Sequence, residues 1–304
     1  MNRLERAFSA NPLPATQASM ATLRPTSLPP RVGEGPTLTT EGPSELQRNQ
    51  VHTLDCLEGM ARLTASSVDV IVTSPPYNIG KPYHTYDDSR PREEYLDWLE
   101  RVAVAAKRVL ADEGSFFLNM GGKPSDQGIP LEVVDRFRRH FTLQNTIVWV
   151  KSVAVHDTLA VGHYQPTNSV RYLNGCHEFI FHLTKSGVVP LDKLAVGVPY
   201  QDKSNIGRWE AAKKDLRDRG STWFIPYDTI QESRPHPAVF PPKLPEMCVR
   251  LHGVRPSMLV LDPFMGTGST ALACHRLGVD YLGFEVDPKY VEIARENLSQ
   301  LIPR

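Results

Sequence analysis

The stretch "MLVLDPFMGTGSTALACHRLGVDYLGFEVD", residues 258–287, decides the fold. It begins with a short apolar run, breaks at a glycine-containing turn, and resumes as a helical pattern. A second apolar run, "DYLGFEV", closes it. Gly266 and Gly268 let the backbone turn tightly and approach a ligand closely. Glu285 stands at the end of the second run, where an acid can accept hydrogen bonds from both hydroxyls of a ribose. Strand, GxG turn, helix, strand and acid together point to a cofactor containing adenosine. The dinucleotide fingerprint wants a third glycine three residues after Gly268, and Ala271 stands there, a residue sometimes allowed. Asp262, just before the turn, would repel a pyrophosphate and welcome an ammonium group. The plainer reading is a tight turn with Asp262 as a helix cap.

Outward from this stretch the same rhythm recurs. "VDVIVTS" is a buried strand, and residues 92–110 place Tyr95, Trp98, Leu99, Val102, Ala106 and Val109 on one helical face. "SFFLNM", "NTIVWV" and "HEFIFHL" read as strands. "PLEVVDRFRRH" reads as a helix opened by Pro130, and "PPKLPEMCVRLHG" as one closed by Gly253. The chain ends in an amphipathic helix, "PKYVEIARENLSQLI". Strands alternating with helices predict an α/β fold, a doubly wound and mostly parallel Rossmann-like sheet. Residues 1–45 are rich in Pro, Ser, Thr and Gly and read as a flexible tail, with Met20 a second candidate start. Residues from about 151 to 234 are irregular and polar, and include "EAAKKDLRDRGS", a charged, helix-like stretch. Its Arg217 and Arg219 suit phosphate contacts or a solvated face equally.

Composition sets bounds. Apolar residues are 40% of the chain, enough for a large core. The formal net charge is zero, so any polyanion must be met by a local surface. The four cysteines (56, 176, 248 and 274) form no CxxC pair, which predicts neither a disulfide framework nor a metal site. No segment has the length of a membrane span and the first residues lack an apolar signal core, so the expected location is cytoplasmic.

The other informative stretch is "TSPPYNIG", residues 73–80, directly after "VDVIV". Two prolines stiffen the chain and remove two donors. The Ser74 hydroxyl and the Pro75 carbonyl offer two acceptors, and Tyr77 an aromatic face. An exocyclic amine of a nucleobase is a poor nucleophile because its lone pair is delocalised. Acceptors around its hydrogens tilt it toward sp³ and aim the lone pair. A ring beside them can stack a base removed from a helix. The bland alternative is a strand end with Tyr77 in the core.

Taken together, "TSPPYN", "DPFMGTGST" and "GFEVDPKYVEIAREN" resemble the S-adenosylmethionine-dependent amino-methyltransferases of DNA. The order, catalytic loop before cofactor loop, resembles their circularly permuted β group, as do "DCLEGM" and "RPHPAVFPPKLPEMCVRL". The resemblance implies S-adenosyl-L-methionine as cofactor and double-stranded DNA as partner, and it admits a homodimer. It implies that Asp262, Phe264, Gly266, Thr267, Gly268, Ser269 and Thr270 line the methionine end, Glu285 holds the ribose, and Asp55 and Cys56 border the adenine. His236, Pro237 and Phe240 would close the pocket. Ser74, Pro75, Pro76 and Tyr77 would hold the target base. The catalytic domain would comprise residues 46–152 and 236–304, with target recognition in 153–235. Serine at the first loop position is usual for cytosine N4 methylation and aspartate for adenine N6, so Ser74 favours cytosine N4, and a restriction-modification role is implied. Cytosine C5 chemistry needs a nucleophilic cysteine, and the loop has none. Adenine N6 methylation, glutamine methylation in a protein, a non-catalytic DNA-binding module and a nicotinamide oxidoreductase are the other readings.

Overall fold

The computed structural model describes residues 46–300 apart from 84, 163–168, 209, 211–213 and 227–238. The predicted tail (1–45), His236 and Pro237 lie outside the described residues. Ten strands and six α-helices are described. In chain order they are β1 (Gln50–Thr53), α1 (Cys56–Ala61), β2 (Val68–Thr73), α2 (Arg92–Val109), β3 (Leu110–Met120), α3 (Ile129–Arg138), β4 (Thr142–Val150), β5 (Ser152–His156), β6 (Leu159–Gly162), β7 (His177–Thr184), β8 (Thr222–Phe224), α4 (Lys243–His252), β9 (Leu259–Asp262), α5 (Ser269–Leu277), β10 (Asp280–Glu285) and α6 (Pro288–Ser299).

Eight strands form one sheet in the order β1-β10-β9-β2-β3-β7-β4-β8. The five from β1 to β3 run parallel, and β7 is antiparallel to both β3 and β4. Parallel strands are covered on both faces, and β2 is accordingly buried along nearly its whole length. One face carries α1, α2 and α3, through Met60, Tyr95, Leu99, Val133 and Phe137 against Ile71, Phe116 and Leu261. The other carries α4, α5 and α6, through Met247, Val249, Cys274 and Val291 against Val70, Phe117 and Val260. The predicted doubly wound, mostly parallel sheet is the observed one.

The winding reverses between β9 and β2, which are neighbours in the sheet. From β9 the chain crosses through α5 to β10 on one side. From β2 it crosses through α2 to β3 on the other. The C-terminal ends of strands at such a reversal diverge their connections and leave a crevice.

One expectation changes. "EAAKKDLRDRGS" is not helical over residues 214–221: Asp215 accepts from Tyr200 N and Lys203 Nζ, and Arg217 bridges Val198. Its charges pin it to residues 198–203 instead of lining a helix face, and Gly220, at φ +81°, turns the chain. Within residues 153–235, β7 and β8 are strands of the main sheet, while β5 and β6 form a separate exposed hairpin.

His182 on β7 and His252 at the end of α4 both contact the buried Ser115 hydroxyl on β3, at 3.0 and 2.9 Å. Burial pushes each imidazole down to about 4, below the ~6.5 of a free histidine. The unfolded chain therefore takes up protons between about pH 6.5 and 4 that the folded chain refuses. Stability is fully present above that window and falls as pH falls through it, by up to about 1.4 kcal/mol per pH unit for each histidine. Urea denaturation at pH 7 and pH 5 checks this: the wild type should lose more stability on acidification than His182→Asn. Equal losses would contradict it.

Candidate active site

The crevice at the β9/β2 reversal is a cleft walled by residues that follow β1, β2, β9 and β10. Ser74, Pro75, Pro76 and Tyr77 line it. So do Asp55, Cys56, Phe240, Phe264, Gly266, Thr267, Ser269 and Glu285. The two sequence stretches singled out above thus share one cavity, although they lie far apart in the chain.

Asp262, Gly268 and Thr270 stand behind the lining. Asp262 is 1% exposed. Its Oδ1 accepts from the Thr73 hydroxyl at 2.6 Å and from Phe264 N at 3.0 Å. Its Oδ2 accepts from the Thr270 hydroxyl at 2.6 Å. Thr73 ends β2, Asp262 ends β9 and Thr270 lies in the first turn of α5. One carboxylate therefore ties the Ser-Pro-Pro loop to the glycine turn. Burial pushes its carboxyl up to about 6, and the three donors offset part of that rise.

The turn itself is internally closed. Phe264 N goes to Asp262, Met265 N to Phe284 O, Gly266 N to Glu285 Oε2 and Gly268 N to Met265 O. A phosphate-binding loop works by presenting free N–H groups to the anion. Here the N–H groups of Phe264, Met265, Gly266 and Gly268 are spent inside the protein. Gly266 (φ +54°) and Gly268 (φ +94°) hold left-handed conformations that make this closure possible. A side chain at Gly268 would also press on Ala294 of α6, with a Cβ 3.1 Å from Ala294 Cβ.

Glu285 faces the cleft with each oxygen holding one backbone N–H, from Gly266 and Asp287, both at 2.9 Å. Lone pairs remain on both oxygens for two hydroxyl donors. Burial raises its carboxyl above the usual range. Asp55 caps α1 through Oδ1, accepting from Leu57 N and Glu58 N. Aromatic rings form the wall between these groups: Trp98 meets Phe264 edge-on at 5.5 Å and Tyr86 at 5.5 Å. Arg90 lies over the Tyr86 ring at 4.5 Å. Trp98, read from sequence as core, is buried and also shows an edge to the cleft.

The loop after Tyr77 is held from within. Asp88 is 2% exposed and accepts from the N–H groups of Asn78, Ile79 and Lys81. Asn78, at φ +57°, exchanges two hydrogen bonds with the Arg90 backbone. Tyr95 of α2 donates to Pro76 O at 2.8 Å, so that carbonyl is spent inside the protein.

Sequence reasoning missed three residues beside Tyr77. Asn119 lies near the end of β3, Glu178 is the second residue of β7 and Lys151 follows β4. The Tyr77 hydroxyl contacts Ser74 Oγ at 2.8 Å, Glu178 Oε2 at 2.9 Å and Asn119 Nδ2 at 2.7 Å. Lys151 Nζ pairs with Glu178 Oε1 at 2.8 Å. Gly121 permits this packing, because a Cβ there would sit 2.8 Å from Glu178 Cγ and 3.0 Å from Tyr77 Cε2. No group of three or more potential metal ligands occurs among the described residues. No described helix is long and apolar enough to cross a membrane.

Fold and cleft together define a Rossmann-like α/β protein in which a glycine turn and a Ser-Pro-Pro loop share one cavity. A family model described as DNA methylase (N6_N4_Mtase) matches residues 68–296. The type II methyltransferase M.BglII of Bacillus subtilis is 32% identical over 266 residues, covering 83% of this chain and 69% of the relative. The crystal structure of TTHA0409 from Thermus thermophilus, complexed with S-adenosyl-L-methionine, is similar at 27% identity and a TM-score of 0.56, covering 84% of this chain and 94% of that one. PvuII DNA methyltransferase (cytosine-N4-specific) shares the fold at 18% identity and a TM-score of 0.59, covering 81% of this chain and 84% of that one. The chain belongs to the N6_N4_Mtase family of DNA methylases.

The Asp262 bridge makes a pH-dependent prediction. Its folded pKa lies above the ~3.9 of a free aspartate, so its contribution to stability is present below that value and is lost as pH rises through about 6. Asp262→Asn lacks this loss. Its stability relative to wild type should improve by roughly 1.5 kcal/mol between pH 5 and pH 8. Denaturant titrations at the two pH values measure it, and an unchanged difference would contradict the assignment.

Proposed function

We propose that this DNA methylase transfers a methyl group from S-adenosyl-L-methionine to the exocyclic N4 of cytosine in double-stranded DNA, on a base turned out of the helix, as the modification enzyme of a restriction-modification system. The observation that carries this reading is the single cleft that holds both the Ser74–Tyr77 loop and the Glu285 end of the cofactor turn.

The residues present fit the cofactor. S-adenosyl-L-methionine supplies an electrophilic methyl group on a sulfonium. Glu285 takes the two ribose hydroxyls through the lone pairs its backbone contacts leave open. Asp55, Cys56 and Phe284 border the adenine, and Phe264, Gly266, Thr267, Ser269 and Phe240 enclose the remainder. Asp262 acts from behind, fixing the distance between the two loops. His236 and Pro237 are assigned to the same pocket on the resemblance alone.

The base enters against Tyr77. The Ser74 hydroxyl and the Pro75 carbonyl accept the two amine hydrogens, which localises the nitrogen lone pair and points it at the methyl group. No strong base is needed before attack, because the amine becomes acidic as the new bond forms. Rate comes from alignment and from oxygen dipoles fixed in advance by the prolines. Serine at position 74 favours cytosine over adenine. Target recognition is assigned to residues 153–235, whose hairpin β5–β6 is exposed beside Lys151.

Two measurements test this. Duplex DNA incubated with the protein and methyl-labelled cofactor, then digested to nucleosides and separated by chromatography and mass, should carry N4-methyldeoxycytidine. N6-methyldeoxyadenosine would replace the base assignment, and absence of label would contradict the function. Glu285→Ala removes two charge-assisted hydrogen bonds and should weaken cofactor binding at least about tenfold by calorimetry. Unchanged affinity would remove Glu285 from the cofactor site.

A further inference from the structure

The cluster behind Tyr77 fixes which way hydroxyl protons point. Glu178 Oε2 can only accept. It is met by the Tyr77 hydroxyl at 2.9 Å and the Asn119 amide nitrogen at 2.7 Å, while Lys151 Nζ takes Oε1 at 2.8 Å. A phenol has one proton, and the carboxylate claims it. The contact between Ser74 Oγ and the Tyr77 oxygen, 2.8 Å long, must then run from serine to tyrosine. Asn119 Nδ2 points its second hydrogen at the same tyrosine oxygen, at 2.7 Å, and lies 3.4 Å from Ser74 Oγ. Asn119 is 1% exposed, so its amide is held inside the protein against Tyr77 and Glu178. Ser74 is left presenting lone pairs, not its proton, to the cleft.

We propose that Glu178, held by Lys151, is a positioning residue for methyl transfer: acting through Tyr77, it turns the Ser74 proton away from the cleft, so that Ser74 meets the target base only as an acceptor. This rests on the reading of Ser74 as a partner of the base amine. An acceptor-only hydroxyl suits an N–H donor and disfavours a carbonyl at the same place, so the device also selects an amine-bearing base edge. Neutralising the carboxylate undoes it. Lys151 can only donate, so it takes the amide oxygen of Glu178→Gln and turns the amide nitrogen, itself a donor, toward Tyr77, which leaves the phenol proton without its acceptor.

The test is a double-mutant cycle in kcat for methyl transfer to duplex DNA, with Glu178→Gln, Tyr77→Phe and the two combined. Phenylalanine keeps the ring and removes only the hydroxyl. Each single variant should lower kcat at least tenfold. Cofactor affinity should stay within twofold of wild type and the melting temperature close to it. The double variant should be no slower than the slower single. Independent, multiplying losses would overturn the proposal, because a carboxylate acting through Tyr77 has nothing left to lose once the hydroxyl is gone. A Glu178→Gln rate within threefold of wild type would also overturn it, as would a loss explained wholly by cofactor affinity or melting. The base that wild type labels is read before any variant is compared. Label on adenine would strike the cytosine assignment while leaving the cycle intact, and no label on DNA would overturn both.

Discussion

The hydrogen bonds that meet on Asp262 hold the site together. Two parallel strands, β2 and β9, end side by side, and the chain leaves them in opposite directions. Without a tie the loops that follow would diverge. A buried carboxylate accepting from Thr73, Thr270 and Phe264 N joins them at their roots. Burying a charge is costly unless it is fully hydrogen-bonded, and the raised pKa of Asp262 records the part of that cost left after three bonds. Without the tie the two loops would be free to drift, and the proposed methyl transfer, which relies on alignment, does not tolerate a drift of about an ångström.

Everything in the cleft is built outward from that tie. The glycine turn ties four of its N–H groups into the protein, while Glu285 keeps lone pairs open to the cleft. The loop after Tyr77 wraps around Asp88 and Asn78 and brings Tyr86 and Arg90 onto Trp98. On the far side Asn119, Glu178 and Lys151 converge on the Tyr77 hydroxyl, with Lys151 acting through Glu178. Asn119, Glu178 and Lys151 each come from a different strand end, so on this side the sheet, not any one loop, sets the geometry.

How much of this was legible in the sequence depends on the range of the constraint. The glycine turn, the proline pair and Glu285 were readable because their signals are local: positive φ at Gly268, missing donors at Pro75 and Pro76, and a fixed spacing from turn to acid. The order and faces of the helices were readable from apolar period, down to the Gly253 stop of α4. Asp262 was recognised as important but given a ligand to hold. The structure spends its oxygens on Thr73, 189 residues away, and on Thr270 and Phe264 nearby. Glu178 looked like one polar residue in a strand, because its partner Tyr77 lies 101 residues upstream. No local pattern marks such a pair. The stretch around Asp215 failed in the opposite way: its composition suits a helix, but charge pairing with Lys203 overrides propensity.

The most direct measurement of the shared-cleft geometry is a crystal structure of the chain with S-adenosyl-L-methionine bound. The ribose should lie on Glu285, with the sulfonium methyl facing Ser74 and Pro75 and leaving room for an amine nitrogen about 3 Å from the methyl carbon. A cofactor whose methyl group points away from the Ser74 loop, or whose ribose contacts residues other than Glu285, would contradict it.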